Sequence, residues 1–478
     1  MTVISRKPQE SLQESLQQVI RLLERHKLVE GMVHKQEMAK HDLVEQLVHR
    51  QNLTELQMKL AALHPADIAH ILEALPPADR LTIWGLVDAE DDGEILLEVS
   101  DAVRESLLAD MAPHEMVAAA GQLDTDELAD LVPDLPQEVQ SEVLGTLDAE
   151  DRAEVQSAMS YTDDQVGALM DFEMVTIRAD VRLEVVLRYL RRFDELPTHT
   201  DKLFVVDDEE IIKGVLPLNK LLVSDPEQYV GDVMADDVVI FQPFDDAGEA
   251  AQAFERYDLV SAPVVDSNHK VIGRITVDQM VDVIREESEA EVLSLAGLKD
   301  EDLFSSVGKA VKNRWPWLAI NICTAFVASR VIGVFEDTIS HLVALAALMP
   351  IVSGIGGNTG TQTTTLIIRG LALGQITTSN TRMLLIKELG IAVINGLVWG
   401  GVLGVIAWAL YGKWDLGLVM TAAMMLNMLV AALVGLFVPL TMQKLGRDPA
   451  YGSSVMITAL TDSLGFFIFL GLATVFLM

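Results

Sequence analysis

Asp462 stands alone in the apolar run SVMITALTDSLGFFIFLGLA, with Thr458, Thr461 and Ser463 around it. A carboxylate at membrane depth is costly unless water, a cation or a partner meets it. Hydroxyls and one carboxylate make an oxygen-only set, which suits Mg2+ or Ca2+ rather than soft metals. The structural alternative is a protonated Asp462, or one paired with Arg330. Arg330 is the one arginine inside an apolar run, and it lies near the run's outer end, where its head reaches water. A second stretch, PIVSGIGGNTGTQTTTLIIRG at 350–370, carries no charge before Arg369 yet is crowded with Gly, Ser, Thr, Asn and Gln. Polar backbone-rich segments at membrane depth must face protein or water. Two readings stand side by side. Small residues let helices approach closely. Alternatively, Asn358, Thr359, Gln362 and neighbouring carbonyls, such as that of Gly357, line an aqueous path.

Carboxylates also recur in the polar half. Asp124, Asp126 and Asp130 fall within seven residues, and Asp126 and Asp130 share a helix face at i,i+4. Asp278 and Asp282 repeat that spacing and are followed by REESEAE. Such pairs repel one another. They are either a solvated face or faces that divalent ions bridge.

The elements that must position these groups are legible in the patterning. Apolar runs cover Trp315–Phe335, Ile339–Ile368, Ile391–Tyr411, Leu416–Met442 and Tyr451–Met478. Each exceeds the roughly 20 residues that cross about 30 Å of hydrocarbon, so five spans are expected. Lys309, Lys312, Arg314, Arg369, Arg382, Lys387, Lys444 and Arg447 fall in alternate loops, which places those loops and the N-terminus in the cytosol and the C-terminus outside. Glu388, in KELG, reads as an interfacial charge at the start of the third span.

The chain has 478 residues and a net charge of −36. From Pro316 onward seven Lys/Arg oppose six Asp/Glu, so nearly all the negative charge lies before the spans. That surface repels nucleic acid and attracts cations. The lone Cys323 excludes an intrachain disulfide and a cysteine metal site.

Between Tyr161 and Glu287 the chain repeats itself. Val205-Val206-Asp207 answers Val264-Val265-Asp266, and Gly214 answers Gly273. Each copy reads as strand, turn, strand, helix. It looks like a tandem CBS pair, and such pairs often bind adenine nucleotides, so ATP is the ligand expected if that cleft is filled. From Leu53 to Ser160 short amphipathic helices alternate with Pro-rich turns, and ADIAHILEALPP at 66–77 resembles DELADLVPDLPQ at 126–137. That pattern predicts a small helical superhelix. The first residues, with Leu12, Leu16, Ile20 and Leu23, predict an added helical arm.

The order of parts, with GGNTGTQTTTLIIRG, KELG and LGRDPA…TALTDSLG, resembles the MgtE family of magnesium channels. The resemblance implies a multidomain chain: a helical arm (1–52), an α-helical cytosolic superhelical domain (53–160), α/β tandem CBS domains (161–284), a linker helix (285–313) and an all-α five-span transmembrane domain (314–478). It implies a homodimer in the cell's inner membrane, not an enzyme, with a Mg2+ pore on the twofold axis lined by Asp462, Thr458, Asn358 and Gly357. It also implies closure by cytosolic Mg2+ at Glu94, Asp124, Asp126, Asp130, Asp278, Asp282, Glu287, Glu291 and Asp448. Two positions depart from the family pattern: Gln279 stands where a second acid is common, and an Asn/Ser-Pro step is missing around Ser454-Val455. The competing expectations are an ion-coupled transporter for another divalent cation or small solute with CBS nucleotide sensing, and a CBS-gated anion channel. The latter would want basic groups at mid-depth, where this chain has a carboxylate.

Overall fold

The computed structural model describes residues 8–33, 53–298, 303–377 and 379–478. The linker expected at 285–313 therefore includes residues, 299–302, outside the described ones, as does 34–52 of the expected arm. The chain divides into two compact units, one reaching Glu287 and one starting at Ser288, with a small exchange at 302–304. Each is described by itself.

The first unit opens with α1 (Pro8–Val33). Its Val19 and Leu23 are buried in one core with Leu56 and Leu60, and Lys27 Nζ lies 2.7 Å from Asp79 Oδ2. The arm is therefore part of the helical module. That module runs through α2 (Pro65–Glu73), α3 (Pro77–Trp84), α4 (Asp92–Glu98), α5 (Asp101–Leu108), α6 (Pro113–Ala120), α7 (Thr125–Leu131), α8 (Gln137–Thr146) and α9 (Ala149–Ala158). Seven of their eight N-caps reveal the repeat: His64, Pro76, Ser100, Ala112, Asp124, Pro136 and Asp148 stand at multiples of 12 residues from one another, and only α4, capped by Asp91, departs from it. The offset of 60 seen in the sequence is five such periods. Proline at the first helical position, as at Pro65, Pro77 and Pro113, starts a helix without wasting a donor.

Helices this short are not stable alone, and their ends leave carbonyls without partners. Three arginines solve this identically. Arg80, Arg104 and Arg152 each donate Nε to the carbonyl eight residues earlier, Leu72 at 3.0 Å, Leu96 at 2.8 Å and Leu144 at 2.5 Å. Each gives a second N–H to a nearby carbonyl: Leu75, Leu97 or Leu147. The guanidinium thus closes the C-terminal end of the preceding helix, where the dipole favours a cation. Arg80 is 0 % exposed, a position an arginine holds only when its donors are used.

The two CBS-like halves follow. The first has parallel β1 (Thr176–Arg178) on β2 (Lys202–Val206), antiparallel to β3 (Ile212–Pro217), with α10 (Leu183–Leu190) beside them. The second pairs β4 (Ser261–Val265) with β5 (Val271–Thr276), flanked by α11 (Ala247–Tyr257) and α12 (Val277–Leu295). The repeat has a physical meaning here. Val205 pairs with Gly214 and Val264 with Gly273, each just before a bulge. Asp207 Oδ1 accepts from Glu209 N and Ile211 N, and Asp266 Oδ1 accepts from Asn268 N and Lys270 N. These are the same Asx turn twice. Glycine is required at both ladder positions: a Cβ would stand 2.6 Å from Ala235 O at Gly214 and 2.3 Å from Met170 Cγ at Gly273.

The second unit contains α13 (Val307–Val334), α14 (Glu336–His341), α15 (Ala344–Ala372), α16 (Thr381–Tyr411), α17 (Trp414–Lys444) and α18 (Ser453–Leu477). Among the described residues, four helices (α13, α16, α17 and α18) are long and apolar enough to cross a membrane by length and composition. The remaining long helix, α15, has the length but carries the Gly, Ser and Thr residues of 350–370. α17 is the central member, packed on α15, α16 and α18. Glycine makes this possible. Gly404 on α16 and Gly417 on α17 touch backbone to backbone: a Cβ on Gly404 would lie 2.3 Å from Thr421 Oγ1 and 2.5 Å from Gly417 O. Thr421 Oγ1 donates to Gly400 O at 3.0 Å across the same seam. Small residues at four-residue spacing are the usual means of bringing membrane helices this close.

The structure adds a partner to one charge read from the sequence. Glu388 does not face outward as a free charge; it is 6 % exposed and accepts from Thr363 Oγ1 at 3.1 Å. The helix starts at Thr381, well before the apolar run, so Glu388 sits two turns inside it. Lys387 Nζ lies 3.6 Å from its other oxygen.

Candidate functional site

In the apolar unit, α18 presents Asp462 half-buried, and its Oδ1 accepts a hydrogen bond from Ser353 Oγ on α15. No ion pair to Asp462 is found among the described residues, and Arg330 instead stacks over the Phe326 ring, 4.9 Å from its centroid. The Arg330-paired alternative is thereby removed. Gly357 lies close by: a Cβ there would meet Thr461 Oγ1 at 3.8 Å. Thr458 is exposed one turn before Asp462, its hydroxyl donating to Ser454 O at 2.9 Å. Asn358 is exposed as well, and the structure shows no contact between it and Asp462.

The polar stretch divides cleanly by face. Ser353, Gly356, Gly360, Thr363 and Thr364 are buried against α17 and α18, so the close-packing reading holds for them. Asn358, Thr361, Gln362 and Thr365 are exposed and follow an i, i+3, i+4, i+7 stripe. Thr361 and Thr365 spend their hydroxyl protons on carbonyls four residues earlier, leaving oxygen lone pairs outward. An outward polar stripe on an otherwise apolar bundle does not suit lipid.

At the start of α18, Ser454 Oγ donates to Leu295 O, the last residue of α12, at 3.1 Å. Gly297 follows in left-handed backbone (φ 70) with the Trp317 indole against it, so that a Cβ would lie 2.1 Å from the ring. Trp317 in turn meets Tyr451 at 5.7 Å. The end of α12 therefore rests on the start of α18, two turns below Asp462. Glu291 and Asp448 are exposed in this unit, and Asp448 Oδ1 caps Ala450 N at 2.8 Å.

In the first unit the helical module and α12 face each other with carboxylates on both sides. Asp126 has its pKa pushed up to about 7, by burial first and then by the field of Asp171. Glu127 is raised by burial, Asp124, Glu94 and Asp278. Asp282 is raised by burial and by Asp278 and Asp130. Burial raises these carboxyls most, and neighbouring carboxylates add to it, a field that a cation would relieve. Asp130 is 3.0 Å from Arg104 Nη2, and Asp278 is 3.6 Å from His199 Nε2. Gln279 joins the two sides without charge: its Nε2 donates to Asp126 Oδ2 at 3.0 Å while its Oε1 accepts from Thr276 N.

Residues outside the sequence-based set belong to this field. Glu286 is raised by burial, Asp101 and Asp130, and Glu98 by burial, Asp282 and Glu94. Asp278, Asp282 and Glu286 follow i, i+4, i+8, so extending the observed spacing by one turn would have found Glu286. Glu287 leaves that stripe and packs its carboxylate against Gly248. Asp92 is pushed up to about 6 by burial and by Glu115, Asp91 and Asp88. Among the described residues no three carboxylates or imidazoles converge on one point. The arrangement offers pairs of oxygens, which fits Mg2+: it keeps several waters and takes one or two carboxylates.

An apolar bundle with a carboxylate in a polar seam, joined to an acidic helical module and a CBS-type pair, defines a membrane cation transporter with regulatory domains. The chain belongs to the MgtE family. The MgtE divalent cation transporter model matches residues 349–472, the MgtE intracellular N domain 63–164 and the CBS domain 230–286. The protein named magnesium transporter MgtE of Thermus thermophilus is 31 % identical over 434 residues, 86 % of this chain and 95 % of that one. That of Bacillus subtilis is 28 % identical over 416 residues, 87 % and 92 % of the two chains. Among solved structures, the cytosolic domain of the Mg2+ channel MgtE in complex with ATP is 29 % identical, covers 50 % of this chain and 98 % of its own, and has a TM-score of 0.45.

Proposed function

We propose that this chain carries Mg2+ across the cell's inner membrane as a homodimer, through a path between the two copies. The observation that carries the reading is Asp462, half-buried in an apolar bundle and held by a neutral hydroxyl of α15, the helix whose other face carries the outward stripe Asn358–Thr365. Two copies that turn those stripes to each other would enclose water, oxygens and two carboxylates. Mg2+ sheds water reluctantly, so a path lined by Asp462, Thr458, Asn358 and the carbonyl of Gly357 would select a hydrated ion. In this reading α15 is the fifth span, its polar face covered by the second copy. The N-terminus is cytosolic and the C-terminus outside. The relatives matched are named as transporters, which points away from an enzyme.

Regulation follows from the acidic faces. When cytosolic Mg2+ is high, Glu94, Asp124, Asp126, Asp130, Asp278, Asp282 and Glu287 would hold it and draw the helical module onto α12, with Glu291 and Asp448 taking further ions nearer the membrane. The end of α12, already seated on Ser454, then closes the inner mouth. When Mg2+ is low, self-repulsion spreads the modules. Gln279 supplies part of this docking without metal. ATP belongs to the reading as a ligand of the CBS cleft, on the strength of the repeat alone.

The test is Mg2+ flux into liposomes holding the purified chain. Uptake driven by the Mg2+ gradient alone, with a reversal potential that follows Mg2+ and not Cl−, is the expected result. Uptake that requires a Na+ or H+ gradient would replace this reading with a coupled transporter.

A further inference from the structure

Asn427 lies in the middle of α17, 0 % exposed among Met and Leu. Its Nδ2 donates to Val352 O on α15 at 2.9 Å. Its Oδ1 has no partner among the described residues. An orphaned buried acceptor is unfavourable, and an apolar side chain of similar volume would leave none, so packing alone does not account for an asparagine here. The neighbours say what it does. A Cβ on Gly356 of α15 would stand 2.2 Å from Asn427 Nδ2, and one on Gly465 of α18 would stand 2.8 Å from the same atom. Gly465 is three residues beyond Asp462, and Val352 is next to Ser353, the donor to Asp462. One amide therefore touches both the turn that carries the carboxylate and the turn that carries its hydrogen-bond donor.

We propose that Asn427 is a positioning residue for the ion site: it sets the separation and register of these two turns, so that Ser353 orients Asp462, and through that orientation it sets which divalent ion passes. The inference rests on the reading of Asp462 as the ion site. A positioning role moves selectivity, whereas a filler role moves only stability.

The experiment measures the Mg2+ to Ca2+ permeability ratio from reversal potentials, beside thermal stability, for Asn427→Ala and for Gly356→Ala/Asn427→Ala. In the double variant a methyl refills the space left by the amide without restoring the bond to Val352. The ratio should shift at least fivefold in both, while stability falls in the single variant and recovers in the double one. A ratio that is unshifted, or that recovers with stability, overturns the inference. Ser353→Ala keeps the test decisive should the Asn427 variants fail to fold: it must shift the ratio too, and an unchanged ratio breaks the chain from Asn427 to Asp462. Asp462→Ala in the same assay separates the two claims. If it leaves flux intact, the ion-site reading itself fails; if it responds while the others do not, only the role of Asn427 fails.

Discussion

Asp462→Ala is expected to lower Mg2+ flux in liposomes about a hundredfold while leaving the helices folded. Contacts from a charged group are worth about 1.5–3 kcal/mol, and each 1.4 kcal/mol is about tenfold in affinity. A path shared by two copies loses the carboxylate twice. The fold survives because, among the described residues, Asp462 makes one hydrogen bond, to Ser353, and that hydroxyl can turn to a carbonyl of its own helix. Asp462→Asn separates charge from shape: it retains a partner for Ser353 and should still lose most of the flux. A variant that conducts normally and keeps its selectivity would show that the carboxylate is structural.

The second large effect concerns closure. Replacing Asp126, Asp130 and Asp278 with asparagine removes three charges from the faces that repel. The wild-type chain should shift between open and closed as Mg2+ rises, because the ion binds the docked arrangement better than the spread one. With the three acids neutral, docking no longer needs the ion and differential binding is largely lost. Mg2+ protection of the linker around Glu286 from protease should then flatten, and the Mg2+ concentration that closes the path should move at least tenfold. A ligand that binds both states equally shifts nothing, so an unchanged titration would mean the ions act elsewhere.

Much of this was legible in residue types. The strand repeat was visible because Asp207 and Asp266 make the same turn and because no side chain fits at Gly214 or Gly273. Asp462 stood out as a single charge in an apolar run. The 12-residue period was hidden, since its markers are helix caps of different kinds, His, Pro, Ser, Ala and Asp. The role of Arg80, Arg104 and Arg152 was not legible, because their partners are backbone carbonyls, which no sequence displays. The partner of Glu388 was not visible, because hydropathy marks where a run becomes apolar, not where its helix begins or what it packs on. Asn427 was passed over as one polar residue in an apolar helix, and only the two glycines against it reveal its place.

The account depends on water reaching Asp462 between two copies. The direct measurement is Asp462→Cys, with Cys323 changed to Ser, treated with a membrane-impermeant, water-soluble thiol reagent and with an oxidant. Modification that Mg2+ slows, together with a disulfide linking two chains, is the result predicted. A thiol that stays inert to the aqueous reagent and never cross-links would place position 462 against lipid or protein and contradict the path.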